Sequence, residues 1–182
     1  MLVTLGVAGC TSAPPLTFDL SDPPDHLSAR TSPRQLVVSE PITSAAFDSE
    51  RIVVRPHANQ LAYLSGAQWS DRLPLMVQSR LIEALENAKI VRSVGRPSER
   101  LAADATLEVE IRAFEIDVES KAATVELSVK LVSPQSGHLI AANVFSARVP
   151  VSSTTGAVAT SALDTAFGEA THQIVSWTAG KV

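Results

Sequence analysis

The sequence predicts an α/β protein: a two-layer sandwich in which a mixed, mostly antiparallel sheet carries two helices on one face. Three observations lead there. Apolar and charged residues alternate from Leu107 to Val118 and again from Val125 to Leu131, the period of strands with one covered face and one wet face. Two longer segments repeat their apolar residues at helical spacing instead. The chain has 182 residues, 45% of them apolar, which is room for one core and no second full domain.

Taken in order, residues 1–10 form an apolar run ending in Cys10. Residues 11–33 hold five prolines without an apolar period and read as a flexible tether, with Phe18 and Leu20 either docking as a short strand or staying free. Fully extended, such a tether spans at most about 80 Å; as a random chain it averages about 25–30 Å. The folded domain is expected over residues 34–182. Leu36-Val37-Val38 and Ile52-Val53-Val54 are short β-rich runs, ended by Pro41 and Pro56. Gln60 to Leu64 reads as a strand, Ser65-Gly66-Ala67 as a tight turn, and Gln68-Trp69 as the return.

A helix follows. Ser70 or Asp71 is positioned to cap it, Pro74 falls in its first turn, and Leu73, Val77, Leu81, Ala84, Leu85 and Ala88 form its stripe. Leu75 and Ile82 fall off that stripe and read either as a small interface patch or as packing under a loop. In the long β segment, Leu107, Val109 and Ile111 are in one phase and Phe114, Ile116 and Val118 in the other, so a β-bulge is expected at Ala113-Phe114. Val125, Leu127, Val129 and Leu131 form the partner strand, and a turn at Ser133 to Gly137 leads to a third strand from His138 to Val151. The last element is a helix from about Ala157 to Ala179, capped by Thr154 or Thr155 and stopped by Gly180; its stripe runs from Ala159 through Phe167 to Trp177.

The sheet's other face should be wet and mildly acidic, with Glu108, Glu110, Glu115, Asp117 and Glu126 against Arg112 and Lys130. Net charge is −4 with no basic run, which disfavours nucleic acid as a partner. His26, His57, His138 and His172 are scattered, none at the spacing that places two imidazoles on one helical face, so no metal site is expected. The phosphate-binding glycine motifs and the serine-hydrolase elbow are absent, and carboxylates expected in water have no reason for tuned acid–base behaviour. The reading is a protein without a cofactor and without catalysis.

The chain has a single cysteine, which excludes an internal disulfide. Val7-Ala8-Gly9-Cys10 resembles a bacterial lipobox, whose cysteine is diacylated and becomes the new amino terminus. Residues 1–9 lack the positive charge of a secretory signal, so Met1 is read as a truncated or internal start. The apolar run is too short to span a bilayer, and anchoring would rest on lipid; two or more acyl chains hold stably where one does not. Thr11 stands where Asp is the familiar inner-membrane retention signal, so the lipobox resemblance implies the outer membrane.

Residues 51–63 (RIVVRPHANQLAY) and 66–74 (GAQWSDRLP), with Phe114-Glu115-Ile116-Asp117, the paired strands and the terminal helix bearing Ile174 and Trp177, resemble the auxiliary lipoproteins of bacterial ABC transport systems. That family includes the paraquat-inducible lipoprotein of the mammalian-cell-entry (MCE) lipid transporters. The resemblance covers nearly everything from Gln35 onward. It implies a periplasmic lipoprotein on the outer membrane, non-catalytic, working with a substrate-binding MCE protein, a permease and a separate ATPase in phospholipid transport, and able to assemble as a homo-oligomeric ring. The segment at Tyr63, Gly66 and Trp69 is the expected partner contact, since aromatic anchors on turns suit interfaces; core packing of Trp69 is the alternative. A carrier that itself binds phospholipid or another hydrophobic ligand is the rival function, and it needs an enclosed apolar pocket.

Overall fold

One long strand organises the molecule. In the computed structural model, which describes residues 13–21 and 31–182, the elements run β1 (Leu16–Phe18), β2 (Ser32–Val38), β3 (Ile42–Thr43), β4 (Arg51–His57), β5 (Gln60–Trp69), α1 (Leu73–Asn87), β6 (Val91–Gly95), β7 (Ala105–Asp117), β8 (Ala122–Val132), β9 (Leu139–Pro150) and α2 (Gly156–Ala179). Thirteen-residue β7 pairs antiparallel with β8 along its length, and β8 pairs antiparallel with β9. The other edge of β7 is shared in sequence by β2, β3 and β4, all parallel to it. β2 then carries β6, while β4 carries β5 and β5 carries β1. The sheet is therefore mixed: its long ladders are antiparallel, and the short pairings where it forks are parallel.

A bulge interrupts β7, at Arg112 and not at the expected Ala113-Phe114. Ile111 faces Leu127 and Ala113 faces Glu126, which leaves Arg112 as the extra residue. That single residue restores the phase, so Val109, Ile111, Phe114 and Ile116 are all buried under the helices. Val125, Leu127, Val129 and Leu131 are fully buried beside them. α1 lies on β2 and β6, α2 lies on β8 and β9 and reaches β5 and β7, and the two helices touch. Trp69, Phe114 and Phe167 make an aromatic spine through this layer, with ring centres 5.8 and 5.9 Å apart.

Several expectations are corrected. Of the two readings left open for Phe18, docking as a short strand is the one seen, since Leu16–Phe18 adds to the edge of β5; β2 begins at Ser32, inside the stretch read as tether. Gln60–Trp69 is one strand; the turn lies at Ala58-Asn59, and Ser65-Gly66-Ala67 is a bulge. Arg51 faces Gln68 while Val53 faces Tyr63, so β5 accommodates several extra residues there, with Gly66 at φ +70°. Only glycine adopts that conformation without strain. Pro56 does not end β4, because the ladder to β7 stops at Arg55 and no hydrogen bond from residue 56 is required. Neither Ser70 nor Asp71 caps α1: the N-cap is Arg72, the Leu73 N–H donates to the Ser49 carbonyl at 3.2 Å, and Pro74 has no N–H to satisfy. Thr155 is the N-cap of α2, without a side-chain cap. Ile82 is buried and Leu75 half-buried, because α1 packs against more than the sheet.

Candidate functional site

The surface singled out by sequence, Tyr63 to Trp69, is divided by the bulge. On the β4 side of it, Val53 pairs with both Tyr63 and Glu115, which places Tyr63 on the open face, away from the helices. Tyr63 is 38% exposed, and the Arg51 guanidinium stacks over its ring at 3.6 Å from the centre. Gly66 is exposed, and a Cβ built on it would meet nothing within 4 Å. Beyond the bulge the side chains change sides: Ala67 lies against Gly156 at the start of α2, and Trp69 is 1% exposed with its ring edge-on to Phe114. Trp69 is a core residue, not a partner contact. Three extra residues in β5 were enough to turn it inward.

Glu115 is a second correction. Expected in water, Glu115 is only 6% exposed and its carboxylate takes two hydrogen bonds from Arg55, Nε to Oε1 at 2.6 Å and Nη2 to Oε2 at 2.8 Å. Arg55 Nη1 also donates to the Ala58 carbonyl at 3.0 Å, tying the β4–β5 turn to β7. The hydrogen bonds and the charge of Glu115 hold the Arg55 guanidinium above its ordinary pKa, so it stays protonated. Sequence alone could not separate Glu115 from Glu108 or Glu110, since the pairing depends on parallel β4 lying opposite it. Close by, the Ser120 N–H donates to Asp117 Oδ1 at 3.0 Å, and with help from Arg148 this holds the Asp117 carboxyl below the usual carboxylate range. His57 Nδ1 lies 2.9 Å from Glu119, both exposed.

These groups are structural ties around two turns, and they do not converge on a reacting position. Among the described residues no three His, Cys, Asp or Glu side chains come together as a metal site. A hollow of about 290 Å³ on the open face is lined by Ser39, Glu40, Ile42, Glu108, Glu110 and Lys130 among others. Charged and apolar side chains share its wall and it opens to solvent, so it is not the enclosed apolar pocket that a lipid carrier needs. A second hollow of about 320 Å³ lies between Val118, Lys121 and Thr154. No described helix is long and apolar enough to cross a membrane. Exposed apolar residues include Leu16, Leu61 and Tyr63 at the β1–β5 edge and Leu139, Ile140 and Val144 on β9; Ile42 on β3, Val118 and Val158 are exposed singly elsewhere. Cys10 lies outside the described residues.

Residues 18–175 match the family described as ABC-type transport auxiliary lipoprotein component, the whole sheet except the first residues of β1, together with both helices as far as Val175. The chain belongs to that family. The family's description is of an auxiliary lipoprotein component of ABC-type transport. A solved structure of a Xanthomonas campestris protein is 27% identical, with a TM-score of 0.81 over 91% of this chain and 96% of that one. A second solved structure, of an uncharacterized protein, shares the fold at 15% identity, with a TM-score of 0.72 over 91% of this chain and 99% of that one. An uncharacterized protein of Bradyrhizobium diazoefficiens is 27% identical over 172 residues, 93% of this chain. The chain spans 46% of the length of that relative. The architecture of this auxiliary lipoprotein is thus the one its residue alternation predicts.

Proposed function

We propose that this auxiliary lipoprotein is a non-catalytic docking component of an MCE-type lipid transporter. Acylated Cys10 holds it on the periplasmic side of the outer membrane, and the domain receives the end of the substrate-binding MCE protein. The observation that carries the reading is the family match across residues 18–175. The lipobox-like Val7-Ala8-Gly9-Cys10 supports acylation, and Thr11 supports the outer membrane. Structural roles account for the shifted groups Arg55, Arg72 and Asp117, each explained by neighbours in ion pairs and turn hydrogen bonds.

Cross-linking in cells, followed by capture of the lipoprotein from membranes and identification of what is attached, tests the reading. An MCE protein among the products is the expected result. A chain that crosses to no transporter component, or that turns over a substrate unaided, overturns it. Native mass spectrometry of the purified protein decides the carrier function separately: stoichiometric co-purifying phospholipid would establish a ligand-binding role in place of docking.

A further inference from the structure

The covalent path from Cys10 to the sheet is short. Thr11 and Ser12 alone separate Cys10 from Ala13, and Leu16 already belongs to β1. At full extension, about 3.6 Å per residue, Cys10 lies within about 11 Å of Ala13 and about 22 Å of Leu16. β1 runs parallel to β5 with Leu16 opposite Ala67, so the chain before Leu16 comes from the Leu61 end of β5. A lipid on Cys10 therefore confines this edge of the sheet to the neighbourhood of a bilayer. The opposite edge, β9, is separated from it by β4, β7 and β8.

The confined edge has the composition that a bilayer surface favours. Leu16 is 62% exposed and lies on the helix side, as its partner Ala67 does; Leu61 and Tyr63 lie on the open side at 44% and 38% exposure. The edge is thus apolar on both flanks. Tyr63 presents an amphipathic ring of the kind enriched at headgroup depth, and the Arg51 guanidinium stacked on it supplies a cation for lipid phosphates. Among the described residues β1 pairs only with Ala67, Gln68 and Trp69, so the outer edge of β5 from Gln60 to Gly66 has no strand against it.

Resting on acylation of Cys10 as argued above, we propose that the β1–β5 edge is the membrane-facing surface of the domain. Leu16, Leu61 and Tyr63 enter the lipid interface, and Arg51 meets the phosphates. The domain is then held in one orientation against the bilayer, with β9 directed away from it.

Cys10 is the only thiol, so the full chain can be coupled through it to a maleimide-bearing phosphatidylethanolamine in vesicles of phosphatidylethanolamine and phosphatidylglycerol. Amide hydrogen exchange is then compared with that of the same chain coupled to a soluble maleimide. Exchange over residues 60–66 slows several-fold on vesicles, residues 139–145 are unaffected, and L61S with Y63S abolishes the slowing while lowering the melting temperature by only a few degrees. Equal exchange at 60–66 on and off vesicles, or slowing confined to 139–145, overturns the proposed surface. The intact mass of protein from its native host reads the anchor independently: an unacylated Cys10 defeats the anchoring reading, whatever the vesicle pattern.

Discussion

Replacing Trp69 by alanine separates packing from partner contact more sharply than any other substitution. The ring is 1% exposed and stands edge-on to Phe114, 5.8 Å between centres at an interplanar angle of 86°. Truncating a buried aromatic side chain costs about 3–5 kcal/mol, through lost transfer energy and the cavity left behind. The edge-on pair adds about 0.5–1.5 kcal/mol beyond area burial, which moves the expectation to the upper half of that range. For a chain of this size each kcal/mol lowers the melting temperature by about 2–4 °C, so W69A should melt about 8–20 °C below the parent. Circular dichroism at a helix band measures this directly. Tyr63→Ala is the control: it removes an exposed ring and one cation–π contact, a change of about 0.5–1 kcal/mol. If W69A melts within about 3 °C of the parent, Trp69 does not hold the core together and the account of the β5 bulge is wrong.

Arg55→Met strands the buried Glu115 carboxylate and destabilises the domain by about 1–3 kcal/mol, less than a fully buried pair because Arg55 is 29% exposed; urea unfolding shows the loss, and adding E115L restores most of it. Gly66→Ala costs about 1–2 kcal/mol through backbone strain alone, since nothing lies within 4 Å of the new Cβ; G66N costs visibly less in the same assay. Asp117 has a lowered pKa in the folded chain, so its stabilising contribution is present above the ordinary carboxylate value of about 3.9 and is lost as pH falls through the lowered one. D117N is accordingly less stable than the parent at neutral pH, and their unfolding midpoints converge in acid.

How far the chain was legible depended on whether a signal was periodic. Leu107 to Ile116 declared a strand, a covered face and a bulge together, because a period of two admits only one way of burying both apolar sets. The α2 stripe was equally legible: Ala159, Leu163, Ala166, Phe167, Ala170 and Ile174 are all buried. Where a local cue competed with a tertiary one, the local cue lost. Gly66 looked like a turn residue by the same positive φ that makes it a bulge residue, and the difference is whether β4 is still pairing on either side. The missing caps of α1 have the same origin, since Ser49 comes from a loop that no helix rule includes. Short β1 and β3, three and two residues long, have no sequence period at all.

Alternation, stripe spacing and charge were enough, without coordinates, to establish a sheet with one covered face, two helices upon it, and a chain without a recognisable catalytic motif. These are properties of neighbours along the chain, and the hydrophobic effect reads them directly. The forked sheet, the burial of Glu115 under Arg55, the inward turn of Trp69 and the closeness of Leu16 to Tyr63's strand were decided by tertiary structure. Each depends on which strand lies beside which, a relation between residues up to about a hundred positions apart that no local pattern encodes.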